Sequence, residues 1–495
     1  MTYRPTLRAH VHVEGDQLVD GLLQRRYPLE GAAAALAPVL DGIAEWSTIR
    51  STLVASGHID EDVDAALRRL LLLHAVEGAG DQLVAKLGRV VRREEAVPTS
   101  ILDGARFGCQ GSGACCQGYA FGPLTDDDVA GLDALDLATA FPHVEPPYVE
   151  ANDGGRYLRR TGVRCVFLGD DQRCGLHARF GADAKPSFCR LYPLDSFGTI
   201  EGIRVVDRGS CATFAISSRV GLPLVDDLDR VRPLLNPPLL HHPLALVDGW
   251  AWDYGLFLRF TTAATTLIRR NLGTASETLH AIGRCLDALT VATARCPLEP
   301  GQPDAIVSAV LAIADASWYR APRDEAAARG ARTLGTLLRA FGRALTAAID
   351  EGRAGASSAR LGELAVLIDH TAGALATHGG RATAAAVPAA EIDQALRISL
   401  RQQLFGRHVL VGGHAGAGLV RIGVIQLLAL AGARIDAGDR IDAVDLNRGH
   451  MLATRGFYSG ILDDVLVAHE PSWRELLDGL SLATRLPYLD AESRD

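Results

Sequence analysis

Seven of the nine cysteines in this 495-residue chain fall between Cys109 and Cys211. Three stand in "CQGSGACC" (Cys109, Cys115, Cys116), and Cys165, Cys174, Cys189 and Cys211 follow. Thiols at this density form disulfides, bind metal or react. An odd total rules out a fully paired framework. The start, "MTYRPTLRAH", has no apolar run of the secretory kind, so a cytoplasmic location is expected. Structural disulfides are rare in that compartment, and a cysteine-rich segment there reads as a metal site. All seven are therefore candidate ligands. One closed site takes four ligands, so seven imply one centre with spare thiols or two centres. His177, three residues after Cys174, adds a nitrogen donor. Cys115 and Cys116 are adjacent, and neighbouring side chains tend to diverge. The pair therefore suggests two centres, or one ligand beside one reactive thiol. Gly108, Gly111 and Gly113 allow the tight loop such a site needs. Cys285 and Cys296 lie in a helical pattern and read as small buried hydrophobes.

The rest of the chain falls into distinct stretches. Residues 1–80 alternate short strands with helices. "HVHV" (His10 to Val13) and "RRYPL" (Arg25 to Leu29) are expected to pair. Helices are expected over "GAAAALAPVLDG", over "STIRSTLVAS" with Ser47 or Thr48 as N-cap, and over "DEDVDAALRRLLLLH". Residues 81–100 read as a charged linker. Residues 101–215 are rich in Gly, Pro and Asp and poor in periodic runs, which suits a loop-rich domain organised by metal. Within it, "TDDDV" (Thr125 to Val129) reads as a helix N-cap with an acidic first turn rather than a calcium site. Lys185, Arg190 and Tyr192 surround Cys189, and Arg190 is expected to offset thiolate charge. From 216 to 495 the pattern is helical, with helices near 357–377, 388–405, 416–433 and 471–483. "GGRATAAAVPAAE" (Gly379 to Glu391) reads as a loop. The expected fold class is mainly α, with a small α+β winged-helix N-terminal domain and a loop-rich, metal-organised cysteine domain.

Composition excludes several functions. The net charge is −9 and the pI about 5.9, and Lys86 and Lys185 are the only lysines. No basic face for nucleic acid is expected. The apolar stretch from Val409 to Ala433 carries His414, Arg421 and several glycines, which reads as a buried helix after a Gly-rich loop, with no membrane partner. There is no phosphate-binding GxxxxGK[ST], no HExxH, no GxSxG and no CxxxCxxC. "GGHAGAGLVRIG" (Gly412 to Gly423) lacks dinucleotide-fingerprint spacing and reads as a packing turn. No residue pattern identifies a catalytic group.

Two resemblances extend this reading. "RPTLRAHVHVE", "YPLEGAAAALAPVLDG", "STIRSTLVAS" and "VDAALRRLLLLHAVEG" together resemble the PqqD-like fold. That likeness implies a peptide-recognition module, in which a peptide adds as a strand to the sheet edge. The ordered set "FGCQGSGACCQGYAFGPLTDDDV", "CVFL", "RCGLH", "KPSFCRLYP" and "GSC" resembles the YkgJ-type cysteine-cluster family. That family is described as zinc- or iron-chelating. Ser112 stands where many of its members carry another cysteine. The layout, with helices after the cluster, is also similar to the flagellin lysine-N-methylases of that family. This subgroup implies an iron–sulfur cluster and methyl transfer from S-adenosylmethionine to lysine. The expectation is a metal-binding enzyme acting on a peptide or protein, with zinc or mononuclear or dinuclear iron as alternative metals. The competing readings are an oxidative maturation of a ribosomally made peptide and a non-catalytic, zinc-stabilised binding protein.

Overall fold

The computed structural model describes residues 3–22, 25–78, 84–85, 88–89, 98–144, 146–151, 154–199, 202–235, 244–247, 250–252, 254–293, 324–378, 390–406, 415–437, 441–469 and 472–483. Most of the expected linker, Cys296, and nearly all of the Gly379–Glu391 loop lie outside them. The chain is mainly helical with small sheets.

The N-terminal segment forms β1 (Val11–Glu14), β2 (Gln17–Asp20) and β3 (Arg25–Pro28), followed by α1 (Ala32–Leu36), α2 (Trp46–Ala55) and α3 (Asp60–Leu72). The expected direct pairing of the first strand with "RRYPL" is not found. "QLVD" forms a strand between them, giving the antiparallel order β1-β2-β3. The cause is local: Glu14 pairs with Gln17 across the two-residue turn Gly15-Asp16, a tight connection that short hairpins favour. α2 starts at Trp46 with Glu45 at the N-cap position, so neither Ser47 nor Thr48 caps it. α3 carries Asp60, Glu61 and Asp62 in its first turn, complementing the helix dipole. Its Val63, Leu67 and Leu70 are fully buried with Leu18 and Leu36, making a separate small core.

In the middle segment, β4 (Thr99–Ile101) pairs parallel with β11 (Gly202–Asp207), which pairs antiparallel with β10 (Leu194–Thr199). Two-residue strands and hairpins fill the rest: β5 (Arg106–Phe107), β6 (Tyr148–Glu150), β7 (Arg156–Leu158), β8 (Arg160–Thr161), β9 (Arg164–Cys165) and β12 (Leu222–Pro223). Short helices interrupt them, among them α4 (Asp126–Asp133), α5 (Gly175–Phe180), α6 (Ser187–Leu191) and α7 (Phe214–Val220). Thr125 caps α4 in a reciprocal capping box with Asp128, as its sequence suggests.

A hairpin of β13 (Leu244–Val247) and β14 (Trp250–Trp252) lies against α3 and leads into the helical part. There follow α8 (Tyr254–Arg270), α9 (Ala275–Thr293), α10 (Asp324–Asp350), α11 (Ser358–His378), α12 (Ala390–Phe405), α13 (Ala415–Ala437), α14 (Leu446–Tyr458), α15 (Ile461–Ala468) and α16 (Trp473–Ala483). On α10, Leu334, Leu337, Leu338, Phe341 and Leu345 are all fully buried. That three- and four-residue step puts one apolar stripe into the core. α10 also approaches α16 at backbone contact: a Cβ on Gly330 would lie 2.1 Å from the Glu475 carbonyl oxygen. α13 is mostly apolar and its residues 415–433 are all buried, and a helix of that kind belongs in a protein core. Its 415–435 stretch is long and apolar enough to cross a membrane, and here it is enclosed by the other helices.

Candidate metal centre

Local chain geometry gathers the thiols. Gly113 takes a positive φ of 65° and opens a single 3-10 turn over Ala114–Cys116, a backbone state that costs glycine least. That turn brings the Cys115 and Cys116 sulfurs within 3.8 Å of each other, so the expected divergence of the pair is not found. Gln117 then bridges to Arg164, and the Gly118 N–H donates to the Val163 carbonyl at 2.7 Å. This carries Cys116 beside the β8–β9 hairpin that ends in Cys165. The Leu168 N–H donates to the Cys165 carbonyl, Leu168 bridges to Cys174, and the Gly175 N–H donates to the Phe167 carbonyl at 2.8 Å. Cys174 is thereby folded back on Cys165. Cys116, Cys165 and Cys174 share one apolar cluster with Phe141, Phe167 and Phe188.

Cys189 enters on α6, whose start is fixed from a distance. The Asp128 carboxylate accepts from the Ser187 N–H at 2.7 Å and from its hydroxyl at 2.8 Å, while also capping α4. Burial works to raise the Asp128 pKa, but the bonds from Ser187 and Thr125 outweigh it and hold the carboxyl below its ordinary value.

The charges show which thiols are neighbours. Cys115 is pulled down to about 6, first by the hydrogen bond from Cys116 and then, against burial, by Arg455 and Lys185. Cys116 is pushed far above the thiol range by that same bond, by burial, and by Cys115, Cys165 and Cys189. Burial lifts Cys165 to about 12 and raises Cys189, with neighbouring thiols adding to both. Cys211 is also raised by burial; its sulfur lies 3.2 Å from the Thr213 hydroxyl, and both Asp207 and Cys115 act on it. Six of the seven candidates are thus linked, with Cys115 at the hub.

Cys109 and His177 differ from these six in exposure. Both are exposed, and among the described residues no bond or charge contact ties Cys109 to the other thiols. The cations that act most on the thiols are others than Arg190. The cations acting on Cys115 are Lys185 and Arg455, and Lys185 also acts on Cys189. Cys285 lies on α9 in the helical core, 1 % exposed, and burial lifts its pKa to about 12.

The donor set suits a soft or borderline metal. Two thiolates on one tetrahedral zinc, at about 2.3 Å each, stand about 3.8 Å apart, and the Cys115–Cys116 separation of 3.8 Å matches that edge. The remaining thiols are not drawn in as closely: among the described residues, no three Cys, His, Asp or Glu side chains stand in a metal-holding arrangement. The pair fits one edge of a coordination sphere.

The helical part closes the site, which the sequence did not reveal. From α14, Arg455 donates through Nε to the Ser210 carbonyl at 3.0 Å and through Nη2 to the Tyr192 hydroxyl at 2.6 Å. Its guanidinium lies 3.7 Å from the centroid of the Tyr119 ring. Arg360 and Glu363 of α11, bonded to each other at 2.9 Å, also act on Tyr119. Tyr119 directly follows the "CCQG" loop and was visible there as "CCQGY"; Arg455 sits in a helix that no sequence pattern had marked. No family model, curated protein or solved structure matches this chain. The fold and site define a mainly helical protein with a thiol-centred middle segment.

Proposed function

We propose that this protein is a metal-binding enzyme that modifies a peptide or protein, by methyl transfer from S-adenosylmethionine to a lysine amine. The observation that carries the reading is the Cys115–Cys116 sulfur pair at 3.8 Å, with Cys165, Cys174, Cys189 and Cys211 linked to it or to one another electrostatically. In this proposal those thiols hold an iron–sulfur cluster or a single metal, and Lys185 and Arg455 offset the thiolate charge. S-adenosylmethionine supplies an electrophilic methyl group when bound. The chain's own part is to hold the acceptor amine neutral and aligned; burial of the amine favours the neutral form. The N-terminal sheet and helices act as the peptide-recognition module, with a substrate segment adding at a sheet edge.

Metal and acid-labile sulfide content of anaerobically purified protein, with a visible spectrum, tests the centre. Methyl transfer to a lysine-bearing peptide tests the reaction. One observation favours a second reading: the 3.8 Å sulfur pair matches a tetrahedral zinc edge, which suits a zinc-stabilised binding protein. Colourless, zinc-replete and sulfide-free protein would select it.

A further inference from the structure

Arg455 gathers two hydroxyls that the protein leaves unused. The Tyr119 ring lies under its guanidinium at 3.7 Å, yet the buried Tyr119 hydroxyl has no hydrogen-bond partner. Ser210 accepts from Arg455 through its carbonyl, while its own hydroxyl, on a residue 2 % exposed, is likewise without a partner. Buried hydroxyls without partners are uncommon and point to a missing group. Arg455 spends two of its five N–H donors on Ser210 and Tyr192. Arg455 also acts electrostatically on Cys115, as does Lys185.

Spare guanidinium donors and two hydroxyls able to donate match a carboxylate, which only accepts. We infer that Tyr119, Ser210 and Arg455 bind the carboxylate of the small-molecule co-substrate beside Cys115. This rests on the methyl-donor reading above and assigns its binding residues.

The test is calorimetric titration of S-adenosylhomocysteine into the full chain and into Tyr119→Phe, Ser210→Ala and Arg455→Gln, with melting temperatures in parallel. Tyr119→Phe removes a hydroxyl that no protein group uses, so its melting temperature should equal the wild type's. Its affinity should fall about tenfold, the loss expected for one hydrogen bond to a charged group. Arg455→Gln should weaken binding further. Wild-type binding with unchanged affinity in Tyr119→Phe and Ser210→Ala overturns the assignment while leaving the methyl donor standing. Absence of binding to wild-type, metal-replete protein overturns the donor reading and this assignment with it.

Discussion

The His450 imidazole accepts the Ser399 hydroxyl at its Nε2, 2.6 Å away. The direction follows from its other nitrogen. Nδ1 lies 2.9 Å from the Gly209 carbonyl oxygen, which can only accept, so Nδ1 carries the proton. Gln403 donates to the same Ser399 oxygen at 2.9 Å, and the ring stacks on Phe214. One neutral histidine thereby joins α12 and α14 to the loop that carries Cys211. Nearby, the Asp207 N–H donates to the Gln402 side chain, and the Asp207 carboxyl accepts from the Gly209 N–H.

The first prediction concerns acid. Burial holds His450 down to about 4, from an ordinary 6.5. A base depressed in the native state contributes stability above pH 6.5 and loses it as pH falls toward 4, about 3 kcal/mol in all. Asp207 runs the other way: burial pushes it up to about 7 from 3.8, so its contribution is present below 3.8 and is lost as pH rises through 7. Between roughly pH 4 and 6.5 the two slopes oppose. Stability from denaturant titrations should be nearly flat across that window as far as this pair decides it.

Asp207→Asn separates the two effects. The amide keeps an oxygen for the Gly209 N–H and removes a buried charge. The variant should exceed the wild type in stability at pH 8, by up to about 4 kcal/mol, and should lose stability as pH drops below 6.5. Equal pH profiles for the two proteins would show that Asp207 does not titrate as described.

Single Cys→Ser variants should fall into two groups by bound metal per chain. Cys115, Cys116, Cys165, Cys174, Cys189 and Cys211 variants should lose metal and the folded middle segment, because in the proposed centre these six thiols hold the metal. Cys109→Ser and Cys285→Ser should retain it, one being exposed and the other in the helical core. Metal loss on Cys109→Ser would move the centre toward the start of the loop.

Removing the metal with a chelator should unfold the middle segment selectively. Hydrogen exchange should rise over residues 108–118 and 160–190. Residues 11–72 should stay protected, since that module has its own core.

Asp128→Ala should weaken the same centre from a distance. It deletes the bonds to Ser187 and the Thr125 cap, a loss of about 2–4 kcal/mol. Metal affinity should drop with it because Cys189 rides on α6. Asp128→Asn, which keeps acceptor oxygen, should be milder in both thermal unfolding and metal titration.

What the sequence by itself determined here is what short-range chemistry determines. The thiol spacing marked the middle segment, the acidic runs marked the starts of α3 and α4, and the apolar periodicity marked α10, α11 and α13. These depend on residues within a turn or two of one another. Even nearby, small effects escaped it: the Gly15-Asp16 turn inserted a strand, and one 3-10 turn brought two adjacent sulfurs together. Tertiary structure alone decided that Cys109 is exposed while Cys165 and Cys211 are buried. It alone decided that Arg455, 263 residues from Tyr192 in sequence, meets it at 2.6 Å, and that His450 is buried neutral against Gly209. Such contacts arise when separate elements pack, and they leave no period or spacing in the chain.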